Sequence, residues 1–122
     1  MTKEETIEHA QNLFNQGFAC SQAILGTFAP SLNINFDSAL LVSAGFGGGM
    51  GRLRQKCGAL TGGFMVLSLA FGNTNPKDLD TRLFVYKKVR LLNQNIELVH
   101  HTTNCAELLK QCVNENEIIE RK

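Results

Sequence analysis

Four cysteines, Cys20, Cys57, Cys105 and Cys112, are the residues of this chain best suited to chemistry. Cys57 has the most telling surroundings. It follows the run Gly45-Phe-Gly-Gly-Gly-Met-Gly-Arg-Leu-Arg-Gln-Lys56 and precedes Gly58-Ala-Leu-Thr-Gly-Gly63. A helix start at Cys57 would bring free N–H groups and the positive end of the helix dipole to the sulfur. Arg52, Arg54 and Lys56 would add positive charge. Both effects lower a thiol pKa, and thiolate is the form that attacks disulfides or binds metals. Gly47, Gly48, Gly49 and Gly58 would permit close backbone approach and supply N–H donors to such an anion. Alternatively, Cys57 is a small buried residue in a Gly/Ala packing seam, because free cysteine is among the most buried residue types.

Cys105 lies beside the candidate cap Asn104 and so falls in a first turn as well. Cys112 is seven residues on, a rise of roughly 10.5 Å in a helix, whereas a disulfide needs Cα atoms within about 7 Å. The two cannot bridge within one intact helix. Either the helix breaks, or each looks to Cys57 or Cys20, or it fills core beside Leu108 and Leu109, the role favoured for Cys112. Cys20 aligns with Ile24 and Phe28 on an apolar face, yet Gly17-Phe-Ala19 also places it at a helix start.

Metal binding is the main rival to thiol chemistry. Four thiols could form a Cys₄ site for zinc or an iron–sulfur cluster. The chain has no C-x-x-C pair, the usual source of zinc ligands and the requirement for thioredoxin-type redox and c-type haem attachment. His100 and His101 point to different sides of a helix, so at most one could join a metal, and a helix C-terminus suits both. His9 is expected on the surface. The glycine run with Arg52 and Arg54 could cradle phosphate, but it matches neither standard glycine-rich phosphate pattern and follows a helix rather than a strand.

The elements that must position these residues read as helices. Thr2 and Glu5 fit a capping box opening a helix to about residue 15, with Ile7, Ala10, Leu13 and Phe14 on one face. A second spans about 20–29, with Cys20, Ala23, Ile24, Thr27 and Phe28 aligned and Pro30 as its stop. Asn35 or Asp37 caps a third, to about Ala44. Five glycines make 45–51 loop or turn. A fourth helix runs from about Cys57 to Phe71. Its small residues four apart, Gly58/Gly62 and Ala59/Gly63, let another backbone approach, either within the chain or in a homodimer. Asn75-Pro76-Lys77-Asp78 starts a long helix, with Pro76 at its first position. It runs to about His100 and packs through Leu79, Leu83, Tyr86, Val89 and the stem of Arg90. Asn104 and Glu107 open a last helix carrying Cys105, Leu108, Leu109, Cys112 and Val113, and the charged tail from Asn114 is expected to fray. The fold class is therefore all-α: one domain over residues 1–122, a compact bundle of five to six helices with a Gly-rich loop.

Composition narrows the function classes. A chain of 122 residues suffices for a core without disulfide staples. With 12 basic and 11 acidic residues the net charge is +1, which gives no broad field for nucleic acid or an acidic membrane. The polar start, Met1-Thr-Lys-Glu-Glu5, lacks the apolar stretch of a signal peptide. The apolar run from Cys57 to Gly72 is shorter than the roughly 18–20 residues that span a bilayer. A cytoplasmic protein is expected, and in that compartment cysteines serve as redox centres, metal ligands or core residues rather than permanent disulfides.

Gly17-Phe-Ala-Cys20-Ser-Gln-Ala-Ile-Leu25, Gly45-Phe-Gly-Gly-Gly-Met-Gly-Arg52, Cys57-Gly-Ala-Leu-Thr-Gly62 and two further cysteines together resemble the C_GCAxxG_C_C family. The resemblance covers about residues 5 to 112. It implies a redox-active protein in which Cys20, Cys57, Cys105 and Cys112 are the family's four cysteines. The expected function is thiol–disulfide exchange or electron transfer with a redox partner. Cys57 is then the nucleophile or ligand and Cys105 or Cys20 its partner. A metal or iron–sulfur module without turnover, and a structural or interaction protein, are the alternatives.

Overall fold

The computed structural model describes residues 1–112. The side chain of Cys112 lies outside the described residues, as do Val113 and the charged tail. Six right-handed helices follow in order: α1 (Lys3–Asn15), α2 (Cys20–Phe28), α3 (Phe36–Ser43), α4 (Gly58–Phe71), α5 (Leu79–His100) and α6 (Cys105–Cys112). Among the described residues there is no strand, only one isolated antiparallel bridge, Lys56 to Asn104.

Local caps set most boundaries. Thr2 accepts from the Glu5 amide at 3.1 Å, Asn35 from the Ser38 amide at 3.0 Å and Asn104 from the Glu107 amide at 3.1 Å. Each satisfies an N–H that the first turn leaves unpaired. The start of α5 falls later than Pro76 implies. Asp78 is its cap, accepting from both the amide and the hydroxyl of Thr81. These bonds, with one from the Asn73 amide, hold its carboxyl below the usual range. Asn73 and Asn75 accept from the amides two residues on, so Pro76 sits inside a run of Asx turns rather than in the helix.

α2 is the centre of the bundle, between α1, α3 and α4. It is not one-sided: Ser21, Ala23, Leu25, Gly26 and Thr27 are all buried. Its polar groups find backbone partners, as burial requires. Ser21 Oγ donates to the Ser43 carbonyl at 2.8 Å, and Gln22 Nε2 to the Leu40 carbonyl at 3.0 Å. His9 is half-buried rather than on the surface, its Nδ1 lying 3.1 Å from Thr27 Oγ1. Leu25, Ala29 and Ala39 form the core, with Ile34, Met65 and Val66 packed on it.

The small-residue seam of α4 faces α2. A Cβ on Gly62 would lie 2.8 Å from the Ser21 carbonyl oxygen and 3.2 Å from Ile24 Cβ, and one on Gly58 would overlap Cys20 Sγ. The seam is thus occupied within the chain. α5 packs on α4 through a stripe that shares only Val89 with the expected one. Val85, Val89, Leu92 and Ile96 are partly covered, while Leu79, Leu83 and Tyr86 are at least half exposed and Arg90 is exposed.

The glycine-rich segment is an ordered left-handed turn. After the short 3₁₀ turn Ala44–Phe46, Gly47–Met50 is hydrogen-bonded like a helical turn, but Gly48 (φ 65°, ψ 28°) and Gly49 (φ 72°, ψ 53°) are not right-handed. Every residue from Gly48 to Arg52 has positive φ, and so does Arg54. The turn is closed by Arg54 N to the Gly48 carbonyl at 3.3 Å and Gln55 N to the Gly49 carbonyl at 3.0 Å. The left-handed region costs an L-residue roughly 1–2 kcal/mol. Gly48, Gly49 and Gly51 escape that cost, whereas Met50, Arg52 and Arg54 bear it.

Candidate functional site

Three cysteines from distant parts of the chain meet beside this turn, each at a helix start. Cys20 is the first residue of α2, Cys57 the cap residue of α4 and Cys105 the first residue of α6. All three are free thiols. α6 is continuous through Cys112, so Cys105 and Cys112 stand two turns apart.

The bridge brings Cys57 and Cys105 together. Cys57 N donates to the Thr103 carbonyl at 2.9 Å, and Cys105 N to the Gln55 carbonyl at 2.6 Å. Each cysteine sits one residue past the bridged pair Lys56 and Asn104, and residues so placed are diagonal neighbours with Cα atoms roughly 7–8 Å apart. Two side chains brace the bridge. Asn104 Nδ2 donates to the Arg54 carbonyl at 3.0 Å, while Lys56 Nζ donates to Asn93 Oδ1 and Thr103 Oγ1, both at 2.8 Å. These ties were not foreseen from sequence, where Lys56 counted only as a nearby cation and Asn104 only as a cap.

The glycines act by lacking side chains. A Cβ on Gly49 would stand 2.5 Å from Cys105 Cβ, and one on Gly47 would stand 2.5 Å from Ala19 Cβ, beside Cys20. Gly58 makes room for Cys20 Sγ. The amides that face the Cys57 sulfur belong to Ala59 and Leu60 rather than to the glycine turn.

Burial pushes the Cys57 thiol above its ordinary value; the Leu60 and Ala59 amides oppose this, and charge on Cys20 or Cys105 would raise it further. Desolvation thus outweighs the helix start, opposite in direction to the lowering expected from the helix dipole and the nearby cations. The cations act elsewhere. Arg52 is exposed, its stem crossing over Gly48, and Lys56 is tied to Asn93 and Thr103. Among the described residues only Arg54 of the three reaches a cysteine, with Nη1 donating to Cys105 Sγ at 3.6 Å. Its Nη2 is buried and has no partner among the described residues.

Cys20 also borders a cleft of about 570 Å³ walled by Ala10, Phe14, Ala23, Ile24 and Ala59. His100 and His101 end α5, exposed. Among the described residues, no three His, Cys, Asp or Glu side chains converge tightly enough to hold a metal ion, and no helix is long and apolar enough to cross a membrane.

The sequence model of the family described as "Putative redox-active protein (C_GCAxxG_C_C)" matches residues 18–122, most of the chain. The chain belongs to the C_GCAxxG_C_C family. The matched region holds all four cysteines, the glycine turn and the bridge. No curated protein and no solved structure matches the chain.

Proposed function

We propose that this C_GCAxxG_C_C protein cycles between dithiol and disulfide, with Cys57 and Cys105 as the exchanging pair, Cys57 being the partly open thiol of the two that meets a partner, Cys20 beside them and Cys112 as the fourth family cysteine. The carrying observation is the convergence of Cys20, Cys57 and Cys105 from three helix starts around one bridge. In the exchange, a thiolate of the chain attacks one sulfur of a partner disulfide and releases the other as thiolate. A second cysteine then attacks the mixed disulfide, frees the partner as a dithiol and leaves a disulfide in the chain. Two electrons pass to the partner, and the reverse reaction oxidises a partner dithiol. Free thiols on this scale suit a reducing compartment such as the cytoplasm.

The test is thiol titration and peptide mapping of anaerobically purified protein, before and after equilibration with oxidised dithiothreitol or glutathione disulfide. Four thiols should fall to two, with a linked peptide joining Cys57 and Cys105. Four unlinked thiols after oxidation, or stoichiometric zinc or iron with protected thiols, would sink the proposal.

A further inference from the structure

Arg54 is the polar group that the exchange cycle leaves unexplained. Its backbone sits at φ 59°, at the end of the left-handed turn. Its guanidinium is held against a sulfur, with Nη1 at 3.6 Å from Cys105 Sγ, while Nη2 is buried without a partner among the described residues. A buried donor left unpaired is costly, and more so when charged. A guanidinium presents adjacent N–H groups in a rigid planar fork. With one arm on a sulfur, the other is placed for an atom bonded to that sulfur or approaching it. Sulfur–sulfur exchange brings no strong acceptor there, whereas an oxygen on the sulfur would be one.

Access points the same way. Cys105 is only 8% exposed, too enclosed for the disulfide of another protein, whereas Cys20 and Cys57 are partly open. An oxidant close to water in size is the one that can reach it.

We propose that Cys105 is the site of oxidation by a small hydroperoxide, that Arg54 holds the oxygen during and after transfer, and that Cys57 resolves the product. This rests on the dithiol–disulfide reading and names its oxidant. The Cys105 thiolate attacks the terminal peroxide oxygen: an S–O bond forms, the O–O bond breaks, and the alkoxide or hydroxide leaving group takes a proton. The sulfur is oxidised by two electrons to a sulfenic acid and the peroxide is reduced to an alcohol or water. The oxygen meets Nη2, which supplies the missing partner. The Cys57 sulfur then attacks Cys105 Sγ, forming S–S and breaking S–O, and hydroxide departs with the Cys57 proton as water. An external dithiol restores both thiols and is itself oxidised to a disulfide. Cys57 is placed for the second step, one residue past the same bridge as Cys105, because sulfenic acids condense with a neighbouring thiol.

The experiment uses the full reduced chain and substoichiometric hydrogen peroxide. In Cys57→Ser, a 1,3-diketone trap should label Cys105 and leave Cys20 unlabelled; in the wild-type chain the product should be the Cys57–Cys105 disulfide with one peroxide consumed. Arg54→Met should slow peroxide consumption by about tenfold or more, as expected for losing a charge-assisted donor, and Arg54→Lys, which lacks the fork, should not restore it. Exchange with glutathione disulfide should change far less in both variants. Trap on Cys20 instead of Cys105, or an unchanged peroxide rate in Arg54→Met, overturns the proposal. If Cys57→Ser does not fold, the stoichiometry and linked peptide of the wild-type chain decide. A chain inert to peroxide but oxidised by glutathione disulfide loses this inference and keeps the exchange cycle. A chain inert to both loses both.

Discussion

Replacing Gly49 with alanine should destabilise the protein by about 2–5 kcal/mol, enough to unfold a marginal domain at moderate temperature. Two costs combine. Gly49 has φ 72° and ψ 53°, a conformation that charges an L-residue roughly 1–2 kcal/mol. The added methyl would also stand 2.5 Å from Cys105 Cβ, 2.9 Å from Arg54 Cα and 2.9 Å from the Gln55 nitrogen. Two of those neighbours are backbone and cannot rotate away, so overpacking adds about 1–3 kcal/mol. In thermal denaturation followed by circular dichroism, the midpoint should fall by roughly 10–20 °C for a domain of this size. Gly45→Ala is the control: a Cβ there meets nothing within 4 Å and the backbone φ is not positive, so its midpoint should hardly move. A Gly49→Ala midpoint equal to that of Gly45→Ala would show that the turn does not pack as described.

Alkylation of Cys57 at pH 7 should be slower in the folded chain than in the denatured chain. The physical cause is burial, which outweighs the Leu60 and Ala59 amides. The rate should keep rising with pH after an unfolded thiol has levelled off, because only thiolate reacts. The same shift links to stability. A folded state that holds the proton to higher pH than the unfolded state gains stability that is fully present below the unfolded pKa. That gain is lost as pH rises through the folded value. Denaturant midpoints should therefore decline in the alkaline range, and Cys57→Ser should flatten that decline. Peptide-resolved iodoacetamide kinetics check the first part; faster labelling of Cys57 in the folded chain at pH 7 would contradict it.

Local chemistry was legible in the sequence, and contacts across the chain were not. The caps at Thr2, Asn35 and Asn104 depend on residues three apart, and all three hold. The helical start at Cys57 and the close approach at Gly58 and Gly62 were readable for the same reason. The state of Cys57 was not, because burial and the nearness of Cys20 and Cys105 are tertiary facts that counting Arg52, Arg54 and Lys56 in sequence cannot capture. Nor was the bridge from Lys56 to Asn104, since a single bridged pair leaves no alternation to detect. α2 looked one-sided because Ser21 and Gln22 are polar. Only the folded chain shows the Ser43 and Leu40 carbonyls that let them be enclosed. The late start of α5 reflects Asn73, Asn75 and Asp78 outcompeting Pro76 for the boundary.

The turn that begins at Gly48 carries a stereochemical consequence. Its backbone is close to the mirror image of an ordinary helical turn, the conformation that D-amino acids prefer. At Gly51, exposed and with φ 58° and ψ 37°, a D-alanine would rest where an L-alanine is strained. Ribosomal synthesis provides no such residue, and glycine, the one achiral building block, stands in for it. Enantiomeric preference, rather than bulk alone, therefore limits which side chains Gly48, Gly49 and Gly51 can accept.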